Sequence, residues 1–90
     1  MRTRNLYTMK EAMEDKKIRR NLYRVLRKTG VQKNEIQPDA TYKRDLRFDS
    51  VDWKIFTFYL EGIFNISVHD DELYRLGSVN DTLQYLKNTA

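Results

Sequence analysis

The chain has 90 residues, a formal net charge of +4 and no cysteine. This length allows one small domain with a modest core, and the lack of cysteine excludes both a disulfide framework and a thiol nucleophile within the chain. The longest apolar run, about six residues over 55–60, is far shorter than the roughly 20 needed to span a bilayer, and no apolar segment typical of a signal peptide precedes it. We therefore expect a single domain over residues 1–90, with no membrane span and a cytoplasmic location.

Charge is distributed unevenly along the chain. Residues 1–37 contain eleven Lys and Arg against four Asp and Glu, whereas residues 38–90 contain six against nine. A basic segment of this kind is typical of a solvated helix face, a phosphate-binding face or a partner interface. Nucleic-acid recognition normally adds stacking or base-reading groups, and Tyr23 alone is weak support for it. We expect no nucleic-acid partner.

The first helix is predicted over residues 8–30. Thr8 and Glu11 match a capping box, and Gly30 suits the left-handed residue that often ends a helix. Residues 1–7 are basic and polar, and we expect them to fray. The predicted core stripe of this helix consists of aliphatic residues three or four apart: Ile18, Leu22, Val25 and Leu26, extended imperfectly by Met9 and Met13.

The rest of the chain predicts a long loop and three further helices. Residues 31–49 show no sustained period and contain the chain's only proline, so we expect an ordered loop anchored by Ile36, Tyr42 and Leu46. Helical spacing of apolar residues and capping patterns predict helices over 50–64, 70–76 and 78–88. The fold class expected is therefore all-α, a small four-helix bundle whose third helix is short.

The stretch from Leu46 to Asp52 carries the main functional signal. Ser50 lies between Asp49 and Asp52 at the predicted start of the second helix, where backbone N–H groups are left free. A helix N-terminus favours a nearby anion, so a phosphodiester on this serine would be tolerated at an exposed position. A simpler interpretation is that Ser50 is only a helix N-cap, a position where serine is favoured.

The residues around Ser50 give little support for catalysis. The single histidine, His69, lies beyond the second helix, so no Ser–His pair is indicated. Asp49 and Asp52 are interpreted as caps rather than paired catalytic carboxylates. His69 precedes Asp70 and two further acids, but consecutive residues point in different directions and do not predict a metal site. We expect no catalytic residue and no metal.

The chain resembles the acyl carrier proteins over about residues 17–88. The resemblance rests on Asp49-Ser50-Val51, which matches the family motif Asp-Ser-Leu, and on apolar and loop residues that align without gaps: Val31, Ile36, Pro38, Asp39, Leu46, Leu60, Phe64 and Ile66. It implies that Ser50 carries 4′-phosphopantetheine, attached from coenzyme A by a phosphopantetheinyl transferase. It also implies a carrier that presents an acyl or aminoacyl thioester to acyl-activating or acyl-transfer enzymes. We expect it to be a monomer.

The second helix departs from the family pattern. Relatives commonly place an acidic stripe on its outer face, whereas this chain has Lys54, Ile55 and Ile63 at positions where an aliphatic residue and two acids would be usual. Arg47 stands where the family usually has glycine. A second apolar band marks either a partner surface or a face covered by the first helix or the tyrosines: Val51, Ile55, Phe58, Tyr59 and Ile63. These departures favour a dedicated carrier of a specialised lipid, polyketide or peptide pathway.

Two groups of residues follow from the resemblance as site candidates. Those expected to contact partner enzymes are Asp49, Val51, Asp52, Lys54, Ile55 and Phe58. Those expected to line the acyl pocket are Trp53, Ile66 and Leu76, where the Trp53 ring would fill part of the space for a long acyl chain. Two alternatives remain: an unmodified interaction module with the same fold, and a basic helical domain that binds nucleic acid.

Overall fold

The computed structural model describes the backbone of residues 2–73 and 75–89 and the side chains of residues 14–73 and 75–89. Its α-helices are α1 (Arg2–Thr29), α2 (Ser50–Phe64), α3 (Asp70–Leu73) and α4 (Val79–Thr89), and a 3₁₀ turn covers Lys33–Glu35. Within those ranges the β-structure is limited to one isolated antiparallel bridge, between Thr41 and Ser78. The predicted all-α bundle with a short third helix is confirmed.

The first helix begins earlier than predicted. It starts at Arg2 and includes Thr8, so Thr8 is an interior residue and the predicted capping box is wrong. Residues 2–7 are helical rather than frayed, and residue 1 lies outside the described residues. Leu, Met, Arg and Lys are good helix formers, which allows the helix to continue without an apolar stripe. The proposed stripe residues Met9 and Met13 have side chains outside the described set.

The core lies between α1, α2 and α4. The side chains of Leu22, Val25 and Leu26 from α1 are fully buried, as are Phe56 and Leu60 from α2. Val79, Leu83 and Leu86 supply the α4 side of the same cluster. Ile18 is half-buried at its edge. The helical spacing of apolar residues therefore identified the inner face of α1 correctly.

The loop over residues 31–49 is held against the fourth helix. Ile36 and Tyr42 are buried and Leu46 is half-buried, as predicted for its anchors. The Tyr42 N–H donates to the Gly77 carbonyl (3.1 Å), and the Val79 N–H donates to the Ala40 carbonyl (3.0 Å). The Tyr42 hydroxyl also bonds to the Thr82 hydroxyl inside the core. These contacts fix the segment that leads into α2.

The boundaries of the last two helices differ slightly from prediction. α3 ends at Leu73 rather than at 76, because the chain turns there through bonds from the Arg75 and Leu76 N–H groups to the carbonyls of residues three earlier. Leu76 then enters the core. α4 begins at Val79, and Ser78 acts as its cap by accepting the Asp81 N–H (3.1 Å).

Candidate functional site

Two aspartates cap the start of α2. The Asp49 carboxylate accepts the Asp52 N–H (2.8 Å), and the Asp52 carboxylate accepts the Asp49 N–H (3.0 Å), a reciprocal capping box. The hydrogen bond from the Asp52 N–H, the largest cause, lowers the pKa of Asp49 below its usual range. The interpretation of both acids as caps is confirmed, and both carboxylates are already engaged by the backbone.

Ser50 is the first residue of α2 rather than its N-cap, because Asp49 occupies the cap position. The interpretation of Ser50 as only a cap is therefore wrong. Its side chain is exposed, and its hydroxyl has no hydrogen-bond partner in the part of the chain that the structure describes. An exposed, uncommitted hydroxyl at a rigid helix start is available for covalent modification by another protein.

The backbone just before the site has an unusual conformation. Arg47 has a φ of +55°, in the left-handed region that a non-glycine residue adopts at a cost. The next residue, Phe48, donates its N–H to the Tyr42 carbonyl (2.8 Å). The reversal at Arg47 thus turns the chain from the anchored loop into the cap of α2. Arg47 stands where the family usually has glycine, and its backbone has the left-handed conformation that glycine would favour.

Four aromatic side chains pack together behind Ser50. The Tyr42 ring lies 5.1 to 5.2 Å, centroid to centroid, from the rings of Phe48, Trp53 and Phe56, and Phe48 and Trp53 meet edge to face at 5.2 Å. Such tilted arrangements are the favoured aromatic contacts. Burial raises the pKa of Tyr42 far above its ordinary value. The first turn of α2 therefore packs on a rigid cluster of aromatic side chains.

A surface cleft of about 610 Å³ opens beside Ser50. Trp53 and Leu76, two of the three predicted pocket residues, line it, whereas Ile66 is not among its lining residues and packs half-buried against the core. The pattern missed other lining residues: Lys43, Phe48, Asp70 and Leu73. Phe48 lies two residues before the serine and could have been found from that proximity. No sequence signal identifies Lys43 or Asp70, because the loop fold brings them there.

The outer side of α2 is apolar and exposed. Val51, Ile55 and Phe58 are 58%, 37% and 71% exposed, at positions that share one helix face. Tyr59 and Ile63 are half-buried and pack against the core. The predicted apolar band is therefore divided: two members belong to the fold, and three form an exposed stripe, called here the outer stripe.

One of the acids after α2, Glu72, has a structural role. The His69 N–H donates to the Glu72 carboxylate (3.1 Å), which caps the short α3. Within the described residues, no group of three or more His, Asp or Glu side chains is placed to hold a metal ion. Nor is any helix in those residues both long and apolar enough to cross a membrane.

Comparison with known proteins agrees with this geometry. A family described as "Phosphopantetheine attachment site" matches residues 24–86. The acyl carrier protein of Nitratidesulfovibrio vulgaris is 31% identical over 64 residues, covering 71% of this chain and 84% of the relative. The acyl carrier proteins of Chlorobium luteolum and Chlorobium phaeovibrioides are 29% and 28% identical over 75 residues, each covering 82% of this chain and 96% of the relative.

The family implies a covalently attached 4′-phosphopantetheine group and a protein that interacts with a phosphopantetheinyl transferase and acyl-handling enzymes. The residues at the start of α2 suit such a group, because Ser50 offers an exposed hydroxyl beside an open cleft. The chain therefore belongs to the acyl carrier protein family, whose members carry acyl groups and do not catalyse their conversion.

Proposed function

We propose that the Ser50 hydroxyl is the attachment point and that the chain carries an acyl or aminoacyl group in a specialised lipid, polyketide or peptide pathway of the cytoplasm. The observation that carries this proposal is the free, exposed Ser50 hydroxyl beside two aspartates that take over the capping. When bound, 4′-phosphopantetheine supplies a thiol that holds the cargo as a thioester.

The chain contributes the Ser50 hydroxyl as the nucleophile and does not contribute a catalytic base. In the transferase, the Ser50 oxygen bonds to the phosphorus that bears the pantetheine arm of coenzyme A, the pyrophosphate linkage breaks, and 3′,5′-ADP leaves. The hydroxyl proton passes to the transferase. Asp49 and Asp52 hold the helix start in place.

The surroundings of Ser50 bear on the attached phosphate. The Asp52 N–H is taken by Asp49, so a phosphate on Ser50 cannot use it, contrary to the simplest helix-terminus picture. Lys43 lines the same cleft as Ser50 and provides a cation on that side. We assign Lys43 to contact the phosphate or the arm.

A modification assay tests the attachment point. The protein is incubated with coenzyme A, magnesium and a broad-range phosphopantetheinyl transferase, and its mass is measured. We expect the addition of one phosphopantetheine, lost in Ser50→Ala and kept in Ser67→Ala, which removes another exposed hydroxyl. No addition to the wild-type chain would favour the alternative function, an unmodified interaction module that uses the outer stripe.

The outer stripe is the surface we propose for partner docking, together with Asp49, Asp52 and Lys54 beside it. Burying one large side chain such as Phe58 is worth roughly 1.5–3 kcal/mol, or about a tenfold or larger change in affinity. We therefore expect Phe58→Ser to lower the kcat/KM of the transferase by about tenfold, with Gln84→Ser on exposed α4 as the control. Equal kcat/KM values for the two variants would remove the outer stripe from transferase docking.

A further inference from the structure

A second feature of the molecule lies away from Ser50, along α1. A groove of about 670 Å³ follows this helix and is lined by basic side chains: Lys16, Arg19, Arg20, Arg24, Arg27 and Lys28. Their spacing of three or four residues puts them along one side of the helix. From Lys16 to Lys28 the row extends roughly 18 Å at the rise of an α-helix.

Among the described side chains, no ion pair neutralises these cations. Residues 16–29 contain no acid, and among the described side chains the ion pair joins Lys87 to Asp15 and none of the groove residues. The nearest acid beyond the helix, Glu35, accepts the Gln32 N–H (2.9 Å). The row therefore presents a concentrated positive charge to solvent, which is costly for the fold alone because like charges repel.

The groove also has an apolar floor and a second wall. Tyr23 is half-buried and lies between the basic residues, and Ile36, which is only 6% exposed, lines the same groove from the 33–36 segment. Lys33 stands on that segment. A cationic rim over an apolar floor matches a ligand with the opposite arrangement: an apolar ridge flanked by acids.

We propose that this groove is a second docking site and that its occupant is an acidic amphipathic helix of a partner protein. An α-helix is about 10–12 Å across and can lie lengthwise in a two-walled groove, with its apolar ridge on Tyr23 and Ile36 and its acids on the basic rim. A flat anionic bilayer would meet the rim but not the floor. A single nucleic-acid strand would find one aromatic ring, whereas such strands are usually held by several.

This site is distinct from the outer stripe on α2. Lys28 marks the boundary between the two surfaces, since its ammonium lies 5.6 Å from the centre of the Tyr59 ring and Tyr59 contacts Phe58. No residue that lines the groove lines the cleft beside Ser50 or belongs to the outer stripe, so a partner that holds α1 can leave both free. The site would retain the carrier on one protein while another acts on its cargo.

The proposal is tested with a fluorescein-labelled helical peptide of about 14 residues, a length that covers the row of cations. Its design places Glu on two flanks of a Leu ridge. We expect anisotropy to show micromolar binding to the full chain in 0.15 M salt. Replacing the Leu ridge by Gln in the peptide is expected to weaken binding at least about fivefold, because the apolar floor loses its contact.

Matched charge reversals locate the binding site. Arg20→Glu/Arg24→Glu is expected to weaken binding of the peptide at least about tenfold. The control Arg44→Glu/Arg75→Glu, at exposed positions outside the groove and with the same change in net charge, is expected to weaken binding less than about threefold. Transferase modification of Ser50 should be unchanged in the α1 variant, which shows that it is folded. That readout also separates this proposal from the function of Ser50.

Three results would overturn the proposal. One is no binding of the peptide to the wild-type chain. Another is an equal loss of binding in the two charge-reversal variants, which reports general attraction only. The third is tighter binding of phosphatidylglycerol vesicles or of a single-stranded oligonucleotide than of the peptide, abolished by the same α1 substitutions, because the groove would then serve a membrane or a nucleic acid.

Discussion

The two sides of α2 are both apolar but have opposite environments. On the inner side Phe56 and Leu60 have no exposed surface, whereas on the outer side Phe58 is 71% exposed and Val51 58% exposed. An ordinary surface helix has a polar outer side. The contrast indicates that the inner residues stabilise the fold, while the exposed outer residues are the ones that we propose for contact with a partner.

Truncating one phenylalanine on each side of α2 tests whether the two sides differ in their contribution to stability. Phe56→Ala should lower the free energy of unfolding by about 3–5 kcal/mol, because it opens a cavity in the core. Phe58→Ala should change it by less than about 1 kcal/mol, since the ring is mostly in solvent. Chemical denaturation of the two variants measures both values. Similar losses in the two would show that the outer stripe is part of the fold.

Stability at alkaline pH tests the burial of Tyr42, whose ring packs against Phe56 on the inner side of α2. Burial raises its pKa in the folded state above the ordinary value of about 10. Its contribution to stability is therefore complete below pH 10 and is lost as pH rises toward the folded-state pKa. We expect wild type to lose about 1.4 kcal/mol between pH 8 and 11 from this group.

The control for that measurement is Tyr42→Phe, which has no ionisable group there. At pH 8 it should be about 1 kcal/mol less stable than wild type, because the bond to Thr82 is lost. The difference between the two proteins should vanish or reverse near pH 11. If the difference in free energy of unfolding stays constant with pH, Tyr42 ionises freely and the aromatic cluster is open to water.

The left-handed backbone at Arg47 joins the loop to the start of α2. Arg47→Val should destabilise by about 1–2 kcal/mol, because a β-branched residue fits poorly at a φ of +55°. The free energy of unfolding of Arg47→Gly should stay within about 1 kcal/mol of wild type. Glycine relieves backbone strain in the folded state, but this gain is offset by its larger conformational entropy in the unfolded chain. Thermal unfolding of both variants checks this. Equal stabilities would contradict the left-handed turn.

Gly62 offers the smallest and only stabilising change, on the same exposed side of the helix as the outer stripe. A methyl group at this position would meet nothing within 4 Å, and alanine is the better helix former by about 1 kcal/mol. We expect Gly62→Ala to raise the free energy of unfolding by about 0.5–1 kcal/mol. A loss of stability in denaturant titration would show that this side of α2 is covered after all.

Much of the helical architecture could be predicted from local patterns. The bounds of α2 agree with prediction because a strong apolar period, an acidic cap and a polar residue after Phe64 coincide there. The start of α1 could not be found in the same way. Its first turns carry no apolar stripe, and Thr8 imitates a cap inside a continuous helix.

The site was predictable only in part. Ser50 follows from the motif and its neighbours, but the cleft beside it depends on Lys43 from the loop and Asp70 from α3. The loop is positioned by Tyr42 and Thr82, which bond across 40 positions of the chain. Such long-range contacts leave no local pattern. Ile66 packs half-buried against the core and is not among the residues that line this cleft, so its place in the acyl pocket stays a prediction.

Peptide mapping of the transferase-modified protein tests whether Ser50 is the attachment point. Trypsin cleaves after Arg47 and Lys54, which releases the segment 48–54 with Ser50 as its only hydroxyl-bearing residue. We predict that tandem mass spectrometry finds the phosphopantetheine on this peptide and on Ser50. An adduct on any other peptide, or an unmodified 48–54 segment after complete reaction, would contradict the assignment of Ser50 as the attachment point.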